Sequence, residues 1–145
     1  LVMNLGAFAC IFMMKRESIF YENIKDLSGL SKNHPALALS FLIILFSLAG
    51  IPPLAGFFAK FYVFMAVIEA NMYALAIIGL VTTVVSAFYY LRIIKIIYFD
   101  KPNKPFDESY DWGLKSSLIL SSILILTYFI YPSILTNVVY SIIIY

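Results

Sequence analysis

Charged residues are scarce in this chain: Asp, Glu, Lys and Arg together make up 12% of its 145 residues, where soluble globular domains run near a quarter. With 63% hydrophobic residues and a mean hydropathy of +0.95, that scarcity excludes an ordinary soluble domain, because a chain of this length cannot bury so much apolar sequence. The bilayer is the solvent. One cysteine, Cys10, lies in the apolar run Gly6-Ala7-Phe8-Ala9-Cys10-Ile11-Phe12. It supports neither an intrachain disulfide nor a zinc or iron–sulfur cluster, and reads as a small apolar filler. A single histidine excludes paired haem ligands. Gly50, Gly56 and Gly79 have neither dinucleotide spacing nor strand context, so no phosphate loop is present. Nothing in the chain would hold a redox cofactor or a metal. The net charge of +2 is too small to suggest nucleic acid. The chain opens at Leu1 in an apolar run, without a basic segment and small-residue cleavage site, so no secretory signal is read. Further membrane helices are expected upstream.

What is present is a set of long apolar runs. A span needs about 20 residues to cross roughly 30 Å of hydrocarbon. Residues 1–14 read as the end of one transmembrane helix, and 15–35 as a polar connector with a short helix around Ile24 to Leu30. Pro35 suits a first helical turn, with Asn33 and His34 as capping candidates. Residues 36–68 are too long for one straight crossing: 33 residues would reach about 50 Å. Gly50-Ile51-Pro52-Pro53 interrupts them near the middle, and prolines remove amide donors and clash with the preceding turn. Two half-helices are therefore expected, about 36–49 and 53–68, joined by irregular backbone. Residues 72–98 form a further span, 99–113 a polar loop, and 114–132 another span ended by Pro132. Residues 133–145 are an apolar C-terminal tail. The fold class is all-α: a polytopic transmembrane bundle with a proline-broken helix.

Charge gives the orientation. If 36–68 crosses once, Lys15, Arg16, Lys25, Lys32, Arg92, Lys95, Lys101, Lys104 and Lys115 share one side. The positive-inside rule makes that side cytoplasmic, or the matrix side of a mitochondrial inner membrane. The tenth basic residue is Lys60, in Leu54-Ala55-Gly56-Phe57-Phe58-Ala59-Lys60-Phe61, and no other charged residue or histidine lies between His34 and Glu69. A charge at such depth costs a few kcal/mol or more, so it marks a functional site by default. Low dielectric disfavours a buried ammonium, which lets such a lysine exchange its proton. Lys60 is thus a candidate proton carrier. The alternative is a lysine in a static ion pair within a structural subunit. Gly50, Pro52, Pro53 and Gly56 would supply the break, where exposed backbone groups handle ions. Ser86, Tyr89 and Tyr90 are candidates for lining a hydrated path, although such groups are more often interhelical contacts. Glu69, the one acid on the far side, is a candidate guard of the outlet, and His34 titrates in a useful range.

At this point the residues resemble a known family. The run Leu48 to Phe61 is similar to the second broken helix of the antiporter-like membrane subunits of respiratory complex I. Met3-Asn4-Leu5-Gly6-Ala7-Phe8-Ala9, Asp26-Leu27-Ser28-Gly29-Leu30 and Ser86-Ala87-Phe88-Tyr89-Tyr90-Leu91-Arg92-Ile93-Ile94-Lys95 resemble the subunit N branch of that family. The resemblance covers the chain up to about Asp107, and the last helix is compatible with it. It implies the second inverted repeat plus the C-terminal helix of a larger bundle, with Lys60 as the lysine of that repeat. It implies a non-redox subunit of NADH:quinone oxidoreductase in a bacterial inner or mitochondrial inner membrane, moving protons through a hydrated path. Partners would be other complex I membrane subunits and the missing N-terminal helices. NADH, FMN, iron–sulfur clusters and quinone would belong to partner subunits. Ala59 departs from the glycine often found beside the lysine. Lys60 argues against the branch that carries glutamate there but does not by itself separate subunit N from subunit L, which also carries a lysine, while an Mrp-type cation/proton antiporter subunit remains the alternative within transport. The topology has a direct check. Cysteines substituted at Lys25 and Lys101 should react with an impermeant reagent from the same side of the membrane; labelling from opposite sides would refute the span count.

Overall fold

The computed structural model describes residues 1–17, 19–107 and 112–131. The path is a helix, a connector, two half-helices and two long helices, here numbered in chain order. Helix α1 runs Val2–Phe12, α2 Leu30–Asn33, α3 Pro35–Ala49, α4 Ala55–Glu69, α5 Tyr73–Phe99 and α6 Trp112–Ile130. Pro132 and the tail at 133–145 lie outside the described residues, as do residues 108–111 of the polar loop.

The connector is more articulated than its composition suggests. Strands β1 (Lys15–Arg16) and β2 (Ile19–Phe20) pair antiparallel, with Lys15 opposite Phe20 and Arg16 opposite Ile19. A 3-10 turn at Ile24–Leu27 follows, closed by the Asn23 N–H donating to Asp26 Oδ2 at 3.2 Å. One short helix was expected around 24–30; instead Gly29, at φ +65°, separates that turn from α2. Only glycine adopts that left-handed geometry without a steric cost. The Gly29 N–H donates to the Ile96 carbonyl of α5 at 3.1 Å, which ties the connector to the end of that helix. Pro35 stands at the first position of α3, where its missing N–H costs nothing. His34 occupies the cap position but gives no side-chain cap bond, so its expected capping role is not the one its ring performs.

The tightest packing lies towards the connector end. Cys10 of α1 and Met14 just after it, Phe41 and Ile44 of α3, Ile97 of α5, and Leu118 of α6 belong to one apolar cluster. Helix α1 packs chiefly on α6, and α3 on α5. Gly6 permits a close approach there: a Cβ would stand 2.7 Å from Ile44 Cδ1 and 2.9 Å from Ser121 Cβ. Small residues at such contacts are how helices pack where lipid removes the hydrophobic drive. By contrast α4 and α5 present Val63, Ile77, Ile78, Val84, Val85 and Phe88 outward. Helix α5, 27 residues long with an 18-residue stretch of mean hydropathy 2.0, is long and apolar enough to cross a membrane alone. Helices α3 and α4 have 15 residues each, about 22 Å apiece by helical rise. Neither spans by itself.

Gly29→Ala should destabilise the connector through the left-handed strain of about 1–2 kcal/mol, compounded by collision of the new Cβ with the Pro102 backbone. The expected result is a marked fall in subunit level in membranes, read by immunoblot, whereas a wild-type level would contradict the close Gly29–Pro102 packing.

Candidate functional site: a lysine on the break between two half-helices

The broken helix poses an accounting problem. An α-helix leaves its last four carbonyls and first four amides without intrahelical partners. At the end of α3 those carbonyls belong to Phe46, Ser47, Leu48 and Ala49. Gly50, at φ +83°, reverses the chain. Its N–H donates to Ser47 O at 3.0 Å, and the Ile51 N–H to Phe46 O at 3.1 Å. This glycine-dependent turn satisfies two of the four. The other two are taken from the far side of the break: Lys60 Nζ donates to Leu48 O at 2.9 Å and to Ala49 O at 3.2 Å. All four ends are occupied.

The start of α4 is served in return. The Gly56 N–H donates to Ser47 Oγ at 3.0 Å, and the Ser47 hydroxyl donates to Met3 Sδ of α1 at 2.9 Å. Leu54, in the cap position, has no side chain able to do this. A residue of α3 therefore caps α4, and a residue of α4 caps α3. The exchange demands near contact of the two backbones, and Gly56 supplies it: a Cβ there would overlap the Ser47 carbonyl. Gly50 has the lysine stem against it, with a notional Cβ 3.1 Å from Lys60 Cδ. The Pro52–Pro53 bond is cis, and both prolines are exposed in the turn between the halves.

The dipole of α3 bears on the same spot. The C-terminal end of a helix carries partial negative charge, and a cation there is stabilised within the last turn. Among the described residues no carboxylate pairs with Lys60; its partners are the two carbonyls. An ammonium has three donors. Two are held by Leu48 and Ala49, and the third is left to hand on. The arrangement can hold a proton at a fixed point half-way along a broken helix and pass it to water or a neighbouring base.

The remaining sequence candidates lie elsewhere. Glu69 ends α4 and is exposed, nine residues beyond Lys60, or about 13 Å by helical rise. The Ser86 hydroxyl turns back on its own helix, donating to Thr82 O at 3.0 Å. Tyr89 and Tyr90 meet edge to face at 6.1 Å. His34 sits at the opposite end of α3, where its Nε2 accepts the Phe106 N–H at 3.1 Å. The structure thus gathers Gly50, Gly56 and Lys60 and leaves Ser86, Tyr89, Tyr90, Glu69 and His34 outside that cluster. It adds Ser47 and Met3, which the sequence reading overlooked. Ser47 did leave a signal: it is the one polar side chain between Ser40 and Lys60.

Comparison with known proteins gives a consistent answer. The family described as NADH:quinone oxidoreductase/Mrp antiporter, TM matches residues 1–86. NADH-quinone oxidoreductase subunit N of Pelagibacter ubique (strain HTCC1062) is 64% identical over 139 residues, covering 96% of this chain and 30% of that protein. The protein of the same name from Parvibaculum lavamentivorans (strain DS-1 / DSM 13023 / NCIMB 13966) is 52% identical over 132 residues, covering 91% and 27%. The chain spans less than a third of the length of these relatives. Among solved structures, a chain of respiratory complex I from Thermus thermophilus with bound Aureothin superposes with a TM-score of 0.73 at 27% identity, over 90% of this chain and 31% of that one.

Two substitutions separate the parts of the reciprocal cap. Ser47→Ala strands a buried amide and should cost about 1–3 kcal/mol, lowering the thermal midpoint of the assembled protein. Gly56→Ala should be worse, since backbone cannot retreat as a side chain can, and should abolish assembly; normal assembly of Gly56→Ala would overturn the close approach.

Proposed function

The chain belongs to the NADH:quinone oxidoreductase/Mrp antiporter membrane family, and on that footing we propose that it works in a complex I subunit of the N type, translocating protons with Lys60 as carrier. The observation that carries the proposal is the Lys60 ammonium resting on the Leu48 and Ala49 carbonyls at the break between α3 and α4. A lysine needed only to neutralise an acid would sit on a carboxylate. This one sits on two neutral dipoles, which hold a cation without fixing it as a buried ion pair would.

In this reading the proton sits on Lys60 until a change in a neighbouring charge or in the α3–α4 spacing weakens its hold. Gly50, Pro52, Pro53 and Gly56 keep the break open to water. Ser86, Tyr89 and Tyr90 on α5 support hydrated passage, and Glu69 stands towards the outlet. The basic connector and the 100–107 segment face the cytoplasm, or the matrix in a mitochondrion. The names of the relatives support partners among the other membrane subunits of complex I. NADH, FMN, iron–sulfur clusters and quinone are the business of those partners, and this chain carries no redox chemistry of its own.

The test uses the full-length subunit in its complex, in inverted membrane vesicles at matched subunit levels. Lys60→Met should reduce NADH-driven proton pumping severalfold while the complex stays assembled. Lys60→Arg is the sharper probe. A guanidinium reaches the same two carbonyls but does not give up its proton. It should restore assembly wherever Met fails, yet leave pumping low. Full pumping with arginine would make Lys60 a structural cap. Sodium- or potassium-dependent exchange without any NADH oxidation would instead place the chain in an Mrp-type antiporter, which the family description also covers.

A further inference from the structure

One hydroxyl at the break behaves differently from others in the bundle. Ser86, Ser116 and Ser122 turn back on their own helices, donating to the Thr82, Gly113 and Leu118 carbonyls at 3.0, 3.0 and 2.9 Å, a common course for a helical serine. Ser47 is fully buried. It donates outward to Met3 Sδ of α1 at 2.9 Å and accepts the Gly56 N–H of α4 at 3.0 Å. We propose that Ser47, oriented by Met3, is a positioning residue for the proton carrier: it sets the reach of Lys60 onto the Leu48 and Ala49 carbonyls, and so makes α1 a determinant of translocation. The part Ser47 plays in translocation rests on the reading of Lys60 above; its hold on α4 does not.

Lys60 follows Gly56 by four residues, so the two lie one turn apart on the same face of α4. Anchoring the Gly56 amide to Ser47 therefore fixes the height and rotation of the turn that carries Lys60, relative to the end of α3. The lysine has little slack with which to correct an error. Its stem lies against Gly50, where a notional Cβ would stand 3.1 Å from Cδ, 3.2 Å from Nζ and 3.5 Å from Cε. The bond to Ala49 O is already 3.2 Å long, and a contact stretched to about 3.6 Å is no longer a hydrogen bond. A slip of about half an ångström between α3 and α4 is enough to lose it.

Met3 supplies the orientation. A hydroxyl has one proton and two lone pairs. With the proton on Met3 Sδ, the oxygen keeps its lone pairs for the Gly56 amide. A thioether sulfur is a weak acceptor, so it holds the hydroxyl without locking it. The place of Met3 is set in turn by Gly6, three residues on and on the same face of α1. Gly6 seats that helix against Ile44, which lies three residues before Ser47 on α3. Two contacts thus register α1 on α3, and the second of them continues through Ser47 into α4. A small shift of α1 reaches the lysine by this route, without touching it.

The experiment takes the full-length subunit in its assembled complex and reads two quantities: hydrogen–deuterium exchange at Gly56, and protons pumped per NADH oxidised in inverted vesicles. Ser47→Ala should speed exchange of the Gly56 amide roughly tenfold, as expected for the loss of a buried bond. It should also lower the proton-to-NADH ratio, in the same direction as Lys60→Met and by less. Ser47→Cys, with a weak donor and acceptor in the same place, should recover part of both. Met3→Leu keeps the volume and strands no amide, so the complex should assemble normally and still show a lowered ratio. A merely structural serine would change how many complexes assemble, not the ratio in those that do. Ser122→Ala, which removes a buried hydroxyl on α6, should leave the ratio at the wild-type value. A wild-type ratio in both Ser47→Ala and Met3→Leu, with pumping lost in Lys60→Met, would overturn the positioning role and leave the carrier standing. A full ratio in Lys60→Met would overturn the carrier, and the role of Ser47 in pumping with it. Unchanged Gly56 exchange in Ser47→Ala would overturn the anchor itself.

Discussion

A helix interrupted inside hydrocarbon must find partners for its own backbone ends, because no water is at hand and each orphan polar group costs several kcal/mol there. The rest of this structure depends on how that demand is met between α3 and α4. Gly50 folds the chain back on two carbonyls, and Lys60 takes the other two. Ser47 repays α4 by accepting the Gly56 amide. The proposed proton carrier is therefore also a structural cap. Any step that moves its proton also changes the donors available to the end of α3, which gives a physical reason for charge and helix spacing to be coupled at this point.

The neighbouring helices serve that arrangement. Met3 of α1 receives the Ser47 hydroxyl, so α1 fixes the rotamer on which the cap of α4 relies. Gly6 lets α1 lie close to α3 and α6. At the other end, the connector and the 100–107 segment are stitched together by backbone and amide bonds, with Gly29 reaching Ile96 of α5. The well-packed cluster sits at that end, while α4 and most of α5 turn apolar faces outward. The bundle is thus firm around the base of α3 and bare around α4, a distribution that suits a piece of a larger membrane assembly.

Much of this was legible in the residues. Low charge and long apolar runs set the class, and the all-α transmembrane bundle is borne out by the family match and the complex I likeness. The Gly50 to Pro53 interruption and the isolated Lys60 carried the resemblance to antiporter-like subunits, which the relatives bear out. Less legible was the connector. Its strand pair is two residues long on each side, too short for any alternation to show, and Gly29 breaks what composition alone would make one helix. His34 illustrates a different limit. Its place before Pro35 suggested a cap, but the ring looks outward to Phe106, 72 residues away, and no local pattern encodes that.

The sequence by itself determined that the chain lives in a membrane, that its second long run is broken, and that one lysine stands alone in it. These follow from composition, from proline's missing amide and from the cost of a buried charge, all of which are local. Only the tertiary structure decided what the lysine touches. Whether Nζ meets an acid, water or a carbonyl depends on how the two halves overlap after the turn, and that overlap is set by Gly56 against the Ser47 backbone and by α1 behind it. Those contacts join residues that the chain separates by nine to forty-four positions, and only the packed helices bring them together.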